Sequence, residues 1–308
     1  MCLSPLPFHG TLRMTLTEKL TGHGKRVESG DDVDKLTPYM AKSKKQWWET
    51  LFDEKYLNTY VDIVTPELTE KQISFLLKCL QLKKGARILD LACGHGRHAI
   101  ELARRGHNVT GLDFSKHFID IAKKDARSQG VEVSFIQKDM RKMSFINKFD
   151  AIVNMFTSFG YFDNDEDNSV VLRKVSRALK PKGKFLIDLN NTTRTLARLS
   201  QKGKINDKTG VLTNTSKDKL SSGLAVTTKH EFDPATMRWS MTRTWKERGK
   251  VKNYRTNVRM FSVPELEHLF RENDLEIEKV WGDFEGSPFG FDSPRMVVLA
   301  VHSGVASR

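Results

Sequence analysis

Between residues 87 and 189, short apolar runs alternate with amphipathic segments, and this alternation is the feature that most constrains the fold. The apolar runs predict five strands, at residues 87–93, 108–113, 131–137, 149–155 and 184–189. The segments between them predict helices at residues 97–105, 116–127 and 167–179. Strands that alternate with helices are joined by crossover connections, which build a parallel sheet covered on both faces. We therefore predict a doubly wound α/β fold.

The rest of the chain predicts three additions to this core. Residues 1–43 lack a sustained apolar period, which predicts a flexible leader. The core itself is expected to span residues 44–200. Its first helix carries Trp48, Phe52, Tyr56 and Tyr60, spaced every four residues as on one helix face.

The pattern changes after residue 200. Residues 200–222 are polar and predict a loop, and alternating polar and apolar residues then predict three antiparallel strands up to residue 261. We expect residues 201–261 to form an inserted meander that covers a pocket. Ser262, Pro264 and Glu265 begin a predicted helix, and residues 262–303 complete the core with that helix and two strands.

Composition excludes several classes of protein. The 308 residues include only three cysteines, too few and too scattered for a disulfide framework or a thiolate metal site. The sequence has no run of about 18 apolar residues and therefore predicts no membrane span. We expect a cytoplasmic protein without a membrane partner. The formal net charge is +13, and residues 201–260 carry 14 basic against 5 acidic residues. This charge keeps nucleic acid open as a partner.

The loop after the first strand carries the most specific signal. Gly94 and Gly96 follow the buried strand and precede a helix, where they permit a tight turn and a close ligand approach. Asp113 ends the second strand, where a carboxylate can bind a ribose diol, and Asp139 follows the third. All lie at the carboxyl edge of a parallel sheet, where such folds bind ligands. Together they predict an adenosine-containing ligand.

The details of the loop separate possible ligands. A dinucleotide fold requires a third glycine where this chain has Ala99. Asp90, Ala92, Gly94 and Gly96 instead fit the order acid-x-small-x-Gly-x-Gly. With this loop, the chain resembles the class I, Rossmann-like S-adenosylmethionine-dependent methyltransferases over residues 44–303. The resemblance implies a seven-stranded sheet whose last strand is reversed, with S-adenosylmethionine as the cofactor.

The resemblance also implies roles for particular residues. Asp90 is expected to hold the cofactor's amino group, Asp113 its ribose hydroxyls and Asp139 its adenine amine. The full set of implied cofactor-binding residues is Asp90, Ala92, Gly94, Gly96, Asp113, Phe114, Asp139, Met140 and Asn154. Ala92 departs from the pattern, because many members have glycine there.

The resemblance is to a subgroup with a small-molecule-type pocket, so we expect methyl transfer to nitrogen or oxygen of a small molecule. Candidate acceptor-side residues are Tyr60, Tyr161, Asn190 and Arg295, and no residue is singled out as catalytic. No metal is expected, because no group of residues has metal-ligand spacing. Cys93 is expected to pack in the core, and His98 is expected to lie on a helix surface.

Several alternatives remain open. The basic meander, with Trp239, Trp245 and Tyr254, favours an RNA methyltransferase as the first rival. A protein substrate and a non-catalytic S-adenosylmethionine-binding protein are further readings. A short-chain nicotinamide oxidoreductase is disfavoured, because no tyrosine has a lysine four residues later. The oligomeric state is not predicted.

Overall fold

The structure is a computed structural model that describes residues 46–303, apart from residues 53 and 61. The predicted leader, residues 1–43, lies outside the described residues. The helices are α1 (Trp48–Leu51), α2 (Glu54–Tyr60), α3 (Pro66–Leu80), α4 (Arg97–Arg104), α5 (Lys116–Ser128), α6 (Asp165–Ala178), α7 (Thr192–Lys202) and α8 (Val263–Arg271). Across this part of the chain, no helix combines the length and apolar character needed to cross a membrane.

The strands form two sheets. They are β1 (Arg87–Leu91), β2 (Asn108–Asp113), β3 (Ser134–Gln137), β4 (Phe149–Asn154), β5 (Leu179–Leu189), β6 (Lys204–Ile205), β7 (Leu212–Lys219), β8 (Ala225–Asp233), β9 (Arg238–Glu247), β10 (Lys250–Arg259), β11 (Leu275–Trp281) and β12 (Met296–His302). The large sheet has the order β11-β12-β5-β4-β1-β2-β3. Strands β1 to β5 run parallel, and β12 runs antiparallel to both of its neighbours. This confirms the predicted seven-stranded sheet with a reversed last strand.

Alternate residues of the sheet face two separate cores, as the period of a strand requires. On one face, Leu89 and Ile187 belong to a cluster with buried residues of α6 and α8. On the other face, Ile88 and Leu186 belong to a cluster with buried residues of α3, α4 and α5. Helices therefore cover both faces, which leaves the strand ends as the place for a site.

The meander is larger than predicted. It is a five-stranded antiparallel sheet in the order β10-β9-β8-β7-β6. The strands β8, β9 and β10 fall where the sequence predicted them. The predicted loop at residues 200–222 is wrong, because it contains the end of α7 and the strands β6 and β7. β7 is mostly polar, and it pairs with β8 along its whole length, from Leu212 opposite Phe232 to Lys219 opposite Ala225. Main-chain pairing rather than apolar patterning stabilises this strand.

The aromatic N-terminal segment also differs from the prediction. The single expected helix is divided into α1 and α2, because Phe52 leaves the helical conformation at φ −82° and ψ 75°. Trp48 of α1 is buried in the core, whereas Tyr56 and Tyr60 of α2 line a cavity. The helix α3 begins as expected, with Pro66 in its first turn and the Thr65 hydroxyl accepting a hydrogen bond from the Leu68 amide.

Candidate functional site

The loop between β1 and α4 is built from left-handed residues. Ala92, Gly94 and Gly96 have φ values of 58°, 56° and 85°. A Cβ on Gly96 would lie 2.8 Å from Cβ of Ala122, whereas a Cβ on Gly94 would find nothing closer than 3.8 Å. Packing behind the loop therefore requires glycine at 96, and at 94 the backbone conformation alone favours glycine.

A cavity opens between this loop, the carboxyl ends of β2 to β4, and the helices α1 and α2. It encloses about 1020 Å³ of space, including its open mouth. Six of the predicted cofactor residues line it: Ala92, Gly94, Asp113, Phe114, Asp139 and Met140. Tyr60 and Tyr161, predicted for the acceptor side, also line it. The other predicted residues, Asp90, Gly96, Asn154, Asn190 and Arg295, do not.

Asp113 connects two of the elements that form the cavity. One carboxylate oxygen accepts a hydrogen bond from the Gly94 amide and the other from the Ser115 amide, each at 2.8 Å. Its side chain is largely buried, and burial raises the pKa of the carboxyl group, while hydrogen bonds from the main-chain amides of Ser115, Gly94 and Phe114 oppose the rise. Each oxygen keeps a free lone pair, so the carboxylate can still accept from a ligand hydroxyl.

Asp139 is held by its neighbour Arg141. The Arg141 guanidinium donates to both carboxylate oxygens, at 2.7 Å from Nη2 and 3.2 Å from Nε, and its Nη1 donates to Asp167 at 2.9 Å. The guanidinium also lies 4.5 Å from the ring centre of Phe162, which lines the cavity. Asp139 is therefore fixed at the cavity wall.

Asp90 and Asn154 lie buried behind the cavity wall. The Asn154 amide donates to the carbonyl oxygen of Leu91 at 2.8 Å, so it joins β4 to the end of β1. Burial, with the nearby carboxylate of Asp113, raises the pKa of Asp90 to about 7, against the lowering influence of Arg97. One oxygen of Asp90 has no hydrogen-bond partner among the described residues.

Asn190 and Arg295 were expected on the acceptor side, but neither of them lines this cavity. The Arg295 guanidinium donates to Asp188 at 2.7 Å, to Asn190 at 2.5 Å and to the Thr157 hydroxyl at 2.9 Å. Arg295 thus joins the end of β5 and the start of β12 to the loop after β4. It lies behind the residues that form the cavity wall.

Residues 88–183 match the family described as a methyltransferase domain. This stretch of the chain is a methyltransferase domain. The match confirms the resemblance that the loop from Asp90 to Gly96 predicted. It extends from β1 through β4 into the first part of β5, and so includes every loop that forms the carboxyl edge of the cavity.

Individual known proteins are also similar to this chain. A putative methyltransferase of Bacillus subtilis, YqeM, is 38% identical over 112 residues, which are 36% of this chain and 45% of that protein. A ubiquinone biosynthesis O-methyltransferase of Alkalilimnicola ehrlichii is 28% identical over 47% of this chain and 55% of that protein. The chain thus spans about half the length of the curated relatives it matches. The crystal structure of an S-adenosylmethionine-dependent methyltransferase of Clostridium acetobutylicum has the same fold, with a TM-score of 0.66 and 20% identity over 80% of this chain and 97% of that one.

Aromatic rings of α1 and of the residue that follows it, Phe52, border the cavity on one side. The ring centre of Trp48 lies 4.8 Å from that of Phe114, and that of Phe52 lies 5.9 Å from that of Tyr161. These rings line the same cavity as the predicted cofactor residues. Burial raises the pKa of Tyr161, so its hydroxyl stays protonated at neutral pH.

The meander contacts two elements that line the cavity, α2 and the segment after β4, where Arg238 donates to the carbonyl oxygen of Phe162. Arg243 donates to the carbonyl oxygen of Thr59 at 2.9 Å, and its guanidinium lies 5.4 Å from the ring centre of Tyr60. The Tyr254 and Thr59 hydroxyl oxygens are 3.0 Å apart. None of residues 201–261, all of which the structure describes, lines the cavity.

Sequence reasoning missed two residues on the wall of the methyltransferase domain. Arg97 lines the cavity, and so does His98, which is buried at 4% exposure rather than on a helix surface. The His98 Nε2 lies 2.9 Å from the Gln72 side-chain oxygen, and burial lowers the pKa of the imidazole well below its usual value. Gln72, a polar residue on the buried face of α3, is the signal that could have indicated this contact.

Two further predictions concern cysteine and metal. Cys93 is buried, as expected for a packing residue, and burial raises the pKa of its thiol. Within residues 46–303 as described, no group of three or more histidine, cysteine, aspartate or glutamate side chains could hold a metal ion.

Proposed function

We propose that this chain transfers the methyl group of S-adenosylmethionine to nitrogen or oxygen of a small molecule. One observation carries the proposal. Gly94, Asp113 and Asp139 follow three different strands of a methyltransferase domain, and all three line a single cavity. Carboxylates at these strand ends can accept hydrogen bonds from a ribose and an exocyclic amine.

The residues at the cavity fit this cofactor. The two lone pairs left on Asp113 suit ribose hydroxyls, and Asp139 suits the adenine amine, with Phe114 and Met140 beside it. Asp90 lies behind the cavity wall, so its free oxygen would act on the ammonium group through a bridging water. When bound, the cofactor supplies a methyl group that is already activated by its sulfonium.

The acceptor would occupy the aromatic part of the cavity. Tyr60, Phe156 and Tyr161 line it together with the rings of Trp48, Phe52 and Tyr56. Such an apolar enclosure suits a small molecule, and one relative is named for ubiquinone biosynthesis. The protein would contribute mainly by orienting the acceptor's lone pair, and a base is needed only for the acceptor's proton.

The proposed organisation follows from these contacts. Residues 44–200 form the cofactor-binding core with its lid helices, and residues 262–303 complete that core. The meander of residues 201–261 acts as a cover because Arg243 and Tyr254 hold α2, which itself lines the cavity. Cytoplasmic location stays a prediction from the sequence.

Calorimetric titration of the full chain tests the proposal. We expect saturable binding of S-adenosylmethionine and S-adenosylhomocysteine, and no saturable binding of NAD. Binding of NAD with no response to either sulfur compound would contradict it. Cofactor binding without methyl transfer to any acceptor in a broad panel would favour a non-catalytic binding protein instead.

A further inference from the structure

The helix α2 is a short element between two fixed points of the chain. Before it, the carbonyl oxygen of Phe52 accepts a hydrogen bond from the Ser115 hydroxyl at 2.9 Å, and Ser115 is also the N-cap of α5. After it, a turn at residues 62–64 leads to Thr65, the N-cap of α3. The seven residues of α2 therefore continue neither α1 nor α3, so the position of this helix depends on its own contacts.

Aromatic side chains of Phe52 and α2 connect opposite sides of the cavity. The ring centre of Phe52 lies 5.8 Å from that of Phe118 and 5.9 Å from that of Tyr161, and the ring centre of Tyr60 lies 6.0 Å from that of Phe156. Phe118 belongs to α5, whereas Phe156 and Tyr161 follow β4. All five residues line the cavity, so a cofactor that enters from this side must displace α2.

The meander holds the carboxyl end of α2 through a set of polar contacts at Thr59, which we call the latch. Arg243 Nη1 donates to the carbonyl oxygen of Thr59 at 2.9 Å, and its Nε donates to the Thr228 hydroxyl of β8 at 3.4 Å. The Thr59 hydroxyl donates its single proton to the carbonyl oxygen of Tyr56 at 2.8 Å, so it must accept from the Tyr254 hydroxyl. Both contacts from the meander therefore donate to Thr59.

A further contact joins the meander to the turn after α2. The Asp62 carboxylate accepts hydrogen bonds from the Ser221 main-chain amide, at 2.8 Å, and from the Ser221 hydroxyl. Asp62 and Ser221 are exposed, and water can replace such bonds at little net cost. Thr59 is 2% exposed, so the bonds of the latch are shielded from water and cost more to break.

We propose that Arg243, together with Tyr254, is a positioning residue that holds α2 over the cavity and so sets how fast the cofactor enters and leaves. This rests on the proposed function, which takes the cavity as the cofactor site. Neither residue lines the cavity, so both act through α2. The latch is made equally whether or not the cofactor is bound. Its loss should therefore change the two rate constants of binding together and leave their ratio unchanged.

Stopped-flow fluorescence of the full chain with S-adenosylhomocysteine measures both rate constants, since Trp48 lies in the cavity wall. Arg243→Met keeps the length of the side chain and removes its hydrogen-bond donors. Both rate constants should rise about tenfold, the size expected for a hydrogen bond from a charged donor, and the dissociation constant should stay within about twofold. The matched control Arg255→Gln changes an exposed arginine next to Tyr254 and should alter neither rate constant.

A reversible covalent bond between the meander and α2 should produce the opposite change. Asp62→Cys combined with Ser221→Cys puts two thiols where the parent side chains are already in contact. Both rate constants should fall in the oxidised protein and recover when dithiothreitol reduces the disulfide. The two single cysteine variants show any effect of oxidising the native Cys79 and Cys93.

The outcomes separate this inference from folding and from the proposed function. A rise of the dissociation rate constant alone in Arg243→Met would mean that Arg243 stabilises the bound state, which would overturn the inference. Rate constants that change in neither Arg243→Met nor the oxidised cysteine pair would also overturn it and leave the proposed function intact. If circular dichroism shows that Arg243→Met is unfolded, the cysteine pair decides. If the parent does not bind S-adenosylhomocysteine, the proposed function is itself wrong.

Discussion

Asp188 accepts a hydrogen bond from Arg295 on one carboxylate oxygen, at 2.7 Å, and holds the main chain of Phe156 with the other, at 2.9 Å. Its carbonyl oxygen also accepts from the Thr157 amide at 2.9 Å. Phe156 and Thr157 are both left-handed, with φ values of 62° and 59°, which costs a side-chain-bearing residue energy. The buried ion pair between Asp188 and Arg295 therefore holds the strained main chain at Phe156. Phe156 lines the cavity, so the pair stabilises part of the cavity wall.

Loss of this ion pair should cost much more than loss of a surface pair. Arg295→Gln leaves the carboxylate of Asp188 buried at 0% exposure without its cation, so the free energy of unfolding should fall by about 3 kcal/mol. Arg173→Gln, which breaks an exposed pair with Glu166, should cost no more than about 1 kcal/mol. Urea unfolding of both variants measures this difference, and equal losses would contradict the role given to Asp188.

The two glycines of the loop should respond differently to alanine. Gly96→Ala should destabilise the protein by about 2–4 kcal/mol, because the new Cβ would overlap Ala122 and Phe135 in addition to the unfavourable φ. Gly94→Ala meets no atom closer than 3.8 Å and should cost about 1 kcal/mol through its φ alone. Thermal and urea unfolding measure the loss of stability in both variants. A larger loss for Gly94→Ala than for Gly96→Ala would contradict this packing.

Asp113→Asn should weaken the binding of S-adenosylhomocysteine by about 1.5–3 kcal/mol, the value of a hydrogen bond to a charged group. The change keeps the size of the side chain, although its amide cannot accept from both Gly94 and Ser115 as the carboxylate does. A matched control is Asp120→Asn on the exposed surface of α5. Calorimetry with unchanged affinity in the Asp113 variant would exclude the ribose role.

Asp90 links stability to pH. Its pKa of about 7 in the folded chain is above its ordinary value of 3.8, so the folded state binds more protons, and its contribution to stability is lost as pH rises from about 4 to about 7. Asp90→Asn should therefore be more stable than the parent at pH 8, with an advantage roughly 2 kcal/mol larger than at pH 5. The same variant should bind S-adenosylmethionine less tightly. An advantage that does not change with pH would contradict the raised pKa.

The sequence predicted those parts of the fold that depend on local pattern. The alternation over residues 87–189 and the buried run of β12 sufficed for the sheet, because strands buried on both faces are apolar along their length. The capping box of Ser262 and Glu265 likewise begins α8 as predicted. The polar strand β7 escaped prediction because its stability comes from main-chain bonds to β8.

The functional site likewise contains residues that the local sequence predicted and residues whose position depends on tertiary contacts. Gly94, Asp113 and Asp139 were found because each lies at the end of a predicted strand or shortly after it, and the edge of a parallel sheet brings such positions together. Asn190 follows β5 and Arg295 precedes β12, but neither lines the cavity, because Arg295 donates to both Asp188 and Asn190. The partners of His98 and Arg97 lie on α3, and sequence spacing alone does not show which helices pack together.

The meander should bind RNA only weakly, because its contacts engage its aromatic residues within the protein. Trp245 is buried, Tyr254 contacts Tyr56 and Thr59, and the ring of Trp239 stacks on that of His230 at 5.6 Å. Arg243 is also engaged, since it holds α2. The rings that would stack on bases are therefore occupied, and the exposed basic residues remain as a solvated face.

Mobility-shift titrations at low and moderate salt distinguish weak, non-specific RNA binding from an RNA-binding site on the meander. The matched variant replaces four exposed residues, Lys204, Lys208, Lys246 and Arg248, by glutamine and leaves Arg243 in place. We expect weak RNA binding by the parent that disappears at moderate salt, as for non-specific phosphate contacts, and unchanged affinity of the variant for S-adenosylhomocysteine. Tight RNA binding that persists at moderate salt and is lost in the variant would instead assign the meander to nucleic acid, and the acceptor would then have to be sought in RNA.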